Sequence, residues 1–331
     1  MNKKIFTLFL FFSTLIVSAQ KEDNVWLLGD DGSDSTTIFS GYNLDFSNGD
    51  PDINIDLHEG EFFLTHASIC DKDGALQCYT NGVSIYNKDR VLMENGDEIG
   101  LDWYHQFWEG EGLPINQAAI ILPFPGHSQK YMVIYEELFQ GNPDPDYIST
   151  MLFCRYAIVD MAANNGEGLV TEKNEVIIAY TLGFGKITAT KHANGRDWWI
   201  LLPGLVNNLY NTLLLTPNGI EDIFLQGNEK FIRSGVGQTV FSPEGNYYVN
   251  YDMNRISAPS YLDIYHFDRC TGMFTDSTLM TFDTSSFDYD RFFGGVAFSP
   301  DSRLLYFCNN EEIIQYDLEA ENVEGLSLIH I

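Results

Sequence analysis

Apolar residues in this chain gather in short runs, each closed by a cluster of Gly, Pro, Asn, Asp or Ser. Residues 25–28, 42–46, 67–70, 76–79 and 83–86 are the first of these runs, and residues 118–122, 131–135, 152–160, 187–190 and 198–201 continue them. Short runs rich in aromatic and β-branched side chains, bounded by turn formers, predict strands rather than helices. Asp71-Lys72-Asp73-Gly74, Pro125-Gly126-His127 and His192-Ala193-Asn194-Gly195 each stand between two runs and predict hairpins. Residues 94–115 are Gly-, Trp- and acid-rich without periodicity and predict a long loop of the kind that carries function on β scaffolds. Asn142-Pro143-Asp144-Pro145-Asp146 predicts a second excursion.

One phrase recurs. Phe241-Ser242-Pro243-Glu244-Gly245 precedes Asn246-Tyr247-Tyr248-Val249, and Phe298-Ser299-Pro300-Asp301-Ser302 precedes Arg303-Leu304-Leu305-Tyr306-Phe307. Proline presets φ for a turn, and the acidic, Ser and Gly residues complete it. Tyr265-His266-Phe267-Asp268 and Ile314-Gln315-Tyr316-Asp317 share a third-strand ending, and Thr216-Pro217-Asn218-Gly219 supplies a similar turn. The turn positions lie 50 residues apart from Gly195 to Gly245 and 57 from Gly245 to Ser302. Hairpins repeating at this spacing predict an all-β propeller of four-stranded antiparallel blades with enlarged loops. Five anchors are present, at residue 74, near 127, and at 195, 245 and 302. They imply five or more blades, part of a ring of six to eight.

Composition changes the picture in three ways. Lys3 and Lys4 precede an apolar run from Ile5 to Val17, and Val17-Ser18-Ala19 offers a cleavage pattern, so residues 1–19 are expected to be a signal peptide. The alternative is an uncleaved anchor, but the run is short for a span. After cleavage no membrane span is expected. The formal net charge of −29 excludes the basic patches that nucleic acid and anionic lipid require. Five cysteines cannot all pair within one chain. The expected register sets Cys78 opposite Ala67, leaving Cys70 roughly 10 Å out of step at ~3.4 Å per residue, too far for a bridge. The cysteines read as small buried residues, with one disulfide elsewhere left open.

Candidate chemistry is sparse. Asp71-Lys72-Asp73-Gly74 begins like a calcium loop, but the position of the closing acid holds Gly82, and turn chemistry accounts for it. Asp30, Asp31 and Asp34 form an oxygen-rich cluster and are the candidate metal residues, with calcium as the cation; no other cofactor is expected. His58, His66, His105, His127, His192 and His266 show no metal-ligand spacing. No Gly-x-Ser-x-Gly elbow or sialidase box occurs, so no catalytic residue is assigned. The aromatic stretch Trp103-Tyr104-His105-Gln106-Phe107-Trp108-Glu109 is the best candidate contact surface. Trp103, Tyr104, Phe107 and Trp108 would stack on a glycan or an apolar protein surface, or else cap one end of the fold as packing. Strand alternation puts one of Trp198 and Trp199 in the core and the other in solvent.

Several phrases together carry a family resemblance. Asn24-Val25-Trp26-Leu27-Leu28-Gly29, Tyr42-Asn43-Leu44-Asp45-Phe46, the stretch 68–88, the stretch 116–126 and the stretch 191–201 occur in order, with the two Phe-Ser-Pro turns after them. This set resembles the N-terminal β-propeller region of large secreted proteins of gliding bacteria, exported by the type IX secretion system (gliding-motility-associated and PKD-type surface proteins). It covers roughly residues 24–320. The resemblance implies a secreted or cell-surface module, followed in the family by immunoglobulin-like modules and a sorting domain. It carries over no catalytic residue.

Residues 326–331, Leu-Ser-Leu-Ile-His-Ile, break the blade pattern after its third strand. They also read as the translation of CTG TCT CTT ATA CAC ATC, a sequence that resembles a transposase mosaic-end adaptor. The expected organisation is therefore a signal peptide, a C-terminally incomplete propeller over residues 20–325, and a non-native tail. The expected role is a monomeric recognition, adhesion or scaffold module whose partner is an extracellular glycan or protein. The alternatives are a polysaccharide hydrolase or lyase using paired carboxylates, and a plain spacer.

Overall fold

The computed structural model describes residues 21–29, 41–55, 59–140, 150–205, 209–227, 236–253, 260–282, 294–308, 313–320 and 326–329. The expected signal peptide, Asp30, Asp31, Asp34 and the 142–146 excursion lie outside these residues. Among them the chain forms six antiparallel sheets, each a simple meander in chain order. Sheet 1 holds β1 (Val25–Leu28), β2 (Tyr42–Asp45) and β3 (Asp52–Ile55). Sheet 2 holds β4 (Ala67–Cys70), β5 (Leu76–Thr80) and β6 (Ile85–Asn87). Sheet 3 is β7 (Ala119–Pro123), β8 (Lys130–Phe139), β9 (Thr150–Asp160) and β10 (Leu169–Leu182). Sheet 4 is β11 (Thr188–Lys191), β12 (Trp198–Pro203), β13 (Tyr210–Thr216) and β14 (Gly219–Gln226). Sheet 5 is β15 (Val236–Phe241), β16 (Tyr247–Met253), β17 (Ser260–Asp268) and β18 (Met273–Phe282). Sheet 6 is β19 (Val296–Phe298), β20 (Leu304–Cys308), β21 (Ile313–Asp317) and β22 (Leu326–Ile329).

The near-continuous apolar runs of the second strands follow from how these sheets pack. Along β8, Tyr131, Val133 and Tyr135 face a cluster with Ile69, Cys78 and Ile85 of sheet 2. The alternate residues Met132 and Ile134 face Ile200, Leu202 and Leu213 of sheet 4. Along β12, Trp199 and Leu201 turn instead toward Tyr248 and Phe267 of sheet 5. Val249 and Tyr251 of β16 meet Val296 and Phe307 of sheet 6, while Val25 and Leu27 of β1 meet Tyr79 of sheet 2. A strand covered on both faces by neighbouring sheets has no polar side, so its sequence loses the alternation of a half-exposed strand. First strands of successive sheets also lie side by side, as β1 with β4, β4 with β7, β11 with β15 and β15 with β19. The result is a propeller-like stack of all-antiparallel sheets.

Four expectations change on contact with the structure. The β4–β5 hairpin pairs Ala67 with Thr80 and Ile69 with Cys78, and a bulge then sets Cys70 against Leu76, so Cys78 is not opposite Ala67. The two thiols face different clusters, and all five cysteines are free. Stretch 94–115 is not all loop: Trp103–Gln106 forms one helical turn, α1, whose N-cap is Asp102. Trp198 is half-buried rather than exposed, because sheet 3 covers the face opposite Trp199; the Lys191 Nζ lies 4.9 Å from its ring centre. The main chain of Leu326–Ile329 pairs with β21 as a fourth strand, beyond the third-strand end expected for this sheet. Ladder pairing uses main-chain groups common to any non-proline sequence, so it is independent of where these residues come from.

Candidate functional site

Antiparallel pairing gives the stack two distinct ends. At one, hairpins join first to second strands: Asp71–Gly74, Gly126–His127, Asn194–Gly195, Ser242–Gly245 and Ser299–Ser302 all turn there. At the other, first strands begin and second strands finish, as in the pairs Ala119 with Tyr135, Thr188 with Leu201 and Val236 with Met253. The sequence-predicted aromatic residues sit at this second end.

Trp103, Tyr104, Phe107 and Trp108 lie together on and just after α1. Tyr104 stacks on Phe107 at 6.2 Å between ring centres, Trp103 meets Tyr104 edge-on at 5.4 Å, and Phe107 meets Trp108 edge-on at 5.4 Å. A fifth ring, Phe63, stacks on Trp108 at 5.9 Å with an interplanar angle of 11°. The cluster divides by role. Tyr104 and Trp108 pack against the core between sheets 3 and 4. Phe63, Trp103 and Phe107 are 57%, 46% and 67% exposed, and Leu101 just before α1 is exposed as well.

Buried polar groups hold this surface in place. Asp102 Oδ1 accepts from the Tyr104 amide at 2.9 Å and the Gln140 amide at 3.2 Å. The Trp103 indole N–H donates to the Gln140 carbonyl at 2.7 Å, fixing the ring plane. Glu137 Oε1 accepts from the amides of Leu101 and Asp102, the latter at 2.7 Å. Its Oε2 accepts from Arg155 Nε at 2.6 Å in an ion pair almost wholly out of water. Arg155 also donates to the Asn174 carbonyl, and the Asn174 side chain accepts from Tyr135 Oη and the Gly100 amide. His105, fully buried, accepts from the Leu138 amide at Nδ1 and lies 3.0 Å from the Gly82 carbonyl at Nε2. This requires the neutral tautomer with its proton on Nε2. Burial also lowers its pKa, the nearby Glu137 opposing.

A second buried polar group at the same end was not anticipated. Glu136, next to Glu137 but on the opposite face of β8, accepts from the Gly185 amide at 2.8 Å through Oε2. Its Oε1 has no hydrogen-bond partner among the described residues, and burial raises its pKa well above the usual carboxylate range. Lys186 follows, fully buried, with Nζ 3.4 Å from Asp252 Oδ2 and 3.3 Å from Asn250 Oδ1. Burial lowers its pKa, and the Asp252 charge acts against this. The Gln117 side chain, from the residues entering sheet 3, both donates to the Thr239 carbonyl and accepts from the Thr239 amide of sheet 5, each at 2.9 Å. Two acids inside the apolar run of β8 were the sequence signal for this region.

The two adjacent acids of β8 are spent on structure. Glu137 is neutralised by Arg155, and Glu136 is enclosed. At the hairpin end Asp71, in the turn that began like a calcium loop, accepts from the Asp73 and Ala75 amides and from Gln77. Among the described residues no three His, Cys, Asp or Glu side chains gather as a metal site. No described helix is long and apolar enough to cross a membrane.

No family model and no curated protein matches this chain. Solved structures do. A candidate 6-phosphogluconolactonase from Bacteroides uniformis is similar at 12% identity and a TM-score of 0.49, over 94% of this chain and 82% of that one. A protein from Lactobacillus plantarum is similar at 14% identity and 0.46, over 93% and 81%. An auxiliary nutrient binding protein from Bacteroides thetaiotaomicron follows at 11% identity and 0.36, over 87% and 70%. At these values the similarities carry no conclusion about chemistry.

Proposed function

We propose that the chain is a secreted or cell-surface propeller module that binds an extracellular glycan or protein through its aromatic end. The observation that carries this reading is the pair of exposed rings, Trp103 and Phe107, set on a turn whose main chain is pinned by Glu137 and Asp102 and whose Trp103 indole is held by the Gln140 carbonyl. Pinned rings lose little entropy on contact, and flat faces suit sugar rings and apolar side chains alike. Glu136 and Glu137 are both buried, so neither faces solvent as a hydrolytic carboxylate would. The resemblance to exported proteins of gliding bacteria supports an extracellular setting.

A glycan array probed with the soluble protein tests the reading. Binding to a defined polysaccharide class that falls at least about tenfold in Trp103→Ala and Phe107→Ala, with unchanged unfolding midpoints, supports it. Variants that fold normally and keep full binding assign the contact to another surface.

A further inference from the structure

At the hairpin end, outside the aromatic site, a groove of about 480 Å³ opens between sheets 3 and 4. Its size falls within the range of small-molecule sites. Ile158 of β9, Ile177 of β10 and Ile220 of β14 give it an apolar lining. The β13–β14 turn forms its far wall, and Pro217 there lies against Gly126 of the β7–β8 turn. That turn is braced: the Asn218 amide donates to Thr216 Oγ1 at 3.1 Å, and the Asn218 side chain donates to Glu221 at 2.7 Å.

The polar groups of the groove are asymmetric. Tyr156, Glu172 and His127 line it; burial, and after it the charges of Glu172 and Glu175, raise the pKa of the Tyr156 phenol. Glu175 pairs directly across the β9–β10 ladder from Tyr156, and Glu172 pairs with Ile158. The one lysine of the lining, Lys130, already has Asp160 Oδ2 at 3.5 Å. An aromatic face with a carboxylate in the same groove and another on its cross-strand neighbour attracts a cation, while an apolar trough beside it accepts hydrocarbon.

We propose that this groove binds an organic cation: an ammonium group held by Tyr156, Glu172 and Glu175, with its apolar body lying against Ile158, Ile177 and Ile220. The site is independent of the aromatic end.

Titration calorimetry at low salt with hexylammonium, hexanol and hexanoate tests it. Hexylammonium should saturate one site and bind about tenfold more tightly than hexanol, with hexanoate weakest. Glu172→Gln/Glu175→Gln should erase the preference for the cation. Ile223→Lys, at a half-exposed position on the rim, should abolish hexylammonium binding without altering the unfolding midpoint, and Phe107→Ala should leave it intact. Equal binding of hexanol and hexylammonium, absence of a saturable site, or indifference to the two groove variants would overturn the assignment.

Discussion

The two ends of the stack are built by different means. At the hairpin end most turn bonds are local, although the Ala193 amide reaches the Arg269 carbonyl and the Glu244 amide reaches Ser302 Oγ. Asn194 Oδ1 accepts from the amides of Arg196 and Asp197, Ser242 Oγ from Tyr247, and Ser299 Oγ from Leu304. At the aromatic end the bonds connect residues far apart in sequence: Glu137 with Leu101, Arg155 with Asn174, Gln117 with Thr239. Local turns can form as soon as the chain reverses, whereas the aromatic end exists only once several sheets have docked. Stability at the two ends should therefore respond differently to equivalent changes.

The largest difference should come from the buried ion pair. Arg155→Met leaves Glu137 enclosed without its countercharge and should cost about 3–5 kcal/mol, measured by urea unfolding. Adding Glu137→Gln should recover part of the loss. Equal destabilisation by the single and double variants would mean that lost packing, not stranded charge, dominates.

Two glycines sharpen the comparison. Gly185 at the aromatic end and Gly195 at the hairpin end both have positive φ, 66° and 74°. A Cβ at Gly185 would fall onto the Asn116 carbonyl oxygen, whereas nothing lies within 4 Å of one at Gly195. Gly195→Ala should cost about 1 kcal/mol for the left-handed conformation alone. Gly185→Ala should cost about 3 kcal/mol, because main chain must move as well. Similar midpoints for the two variants would contradict the packing of Gly185.

The smallest effect is a difference in pH dependence. The folded chain holds the Glu136 proton more tightly than the unfolded chain does, so this residue's contribution is fully present below its ordinary value of 4.5 and is lost as pH rises through the raised folded value. Glu136→Gln should remove that decline, making the variant more stable than the parent at pH 7 and closing the gap toward pH 4.5. At the hairpin end Asp197, Asp268 and Asp301 have lowered pKa values, through bonds from Arg196, the Cys270 amide and Ser299 respectively. Their contribution is present at neutral pH and is lost only as pH falls below 3.8. Thermal midpoints between pH 4 and pH 8 separate the two behaviours.

The same division explains what was legible in the chain. Turns at Asp71, Asn194 and the Phe-Ser-Pro phrases were readable because donor, acceptor and glycine lie within a few residues. Most strands were readable from their apolar runs. β10 was not, since Glu172-Lys173-Asn174-Glu175 interrupts it; the strand is an edge with repeated register shifts, and Lys173 and Asn174 bond to residues 97–100. Four rings of the aromatic cluster were found because they are neighbours in sequence. Phe63 was missed because only the return of residues 59–65 past Gly112 and Leu113 brings it to Trp108. A Phe-Phe-Leu run outside any predicted strand was the signal available. Neither Lys186 nor Gln117 has a local partner, and no pattern along the chain pointed to either.

Gln117 has a mechanical consequence. By bonding both to and from Thr239, its side chain acts as a short strand linking sheet 3 directly to sheet 5, with sheet 4 held between. Under tension these three sheets should yield together as one block. Sheet 6 is joined to sheet 5, among the described residues, by one bond of Gln238 from the Val296 amide and by the Glu244 amide on Ser302 Oγ at the hairpin end, and should peel away first. A propeller-like stack under load would then have a weak joint and a strong one, set largely by whether a glutamine makes one hydrogen bond or two.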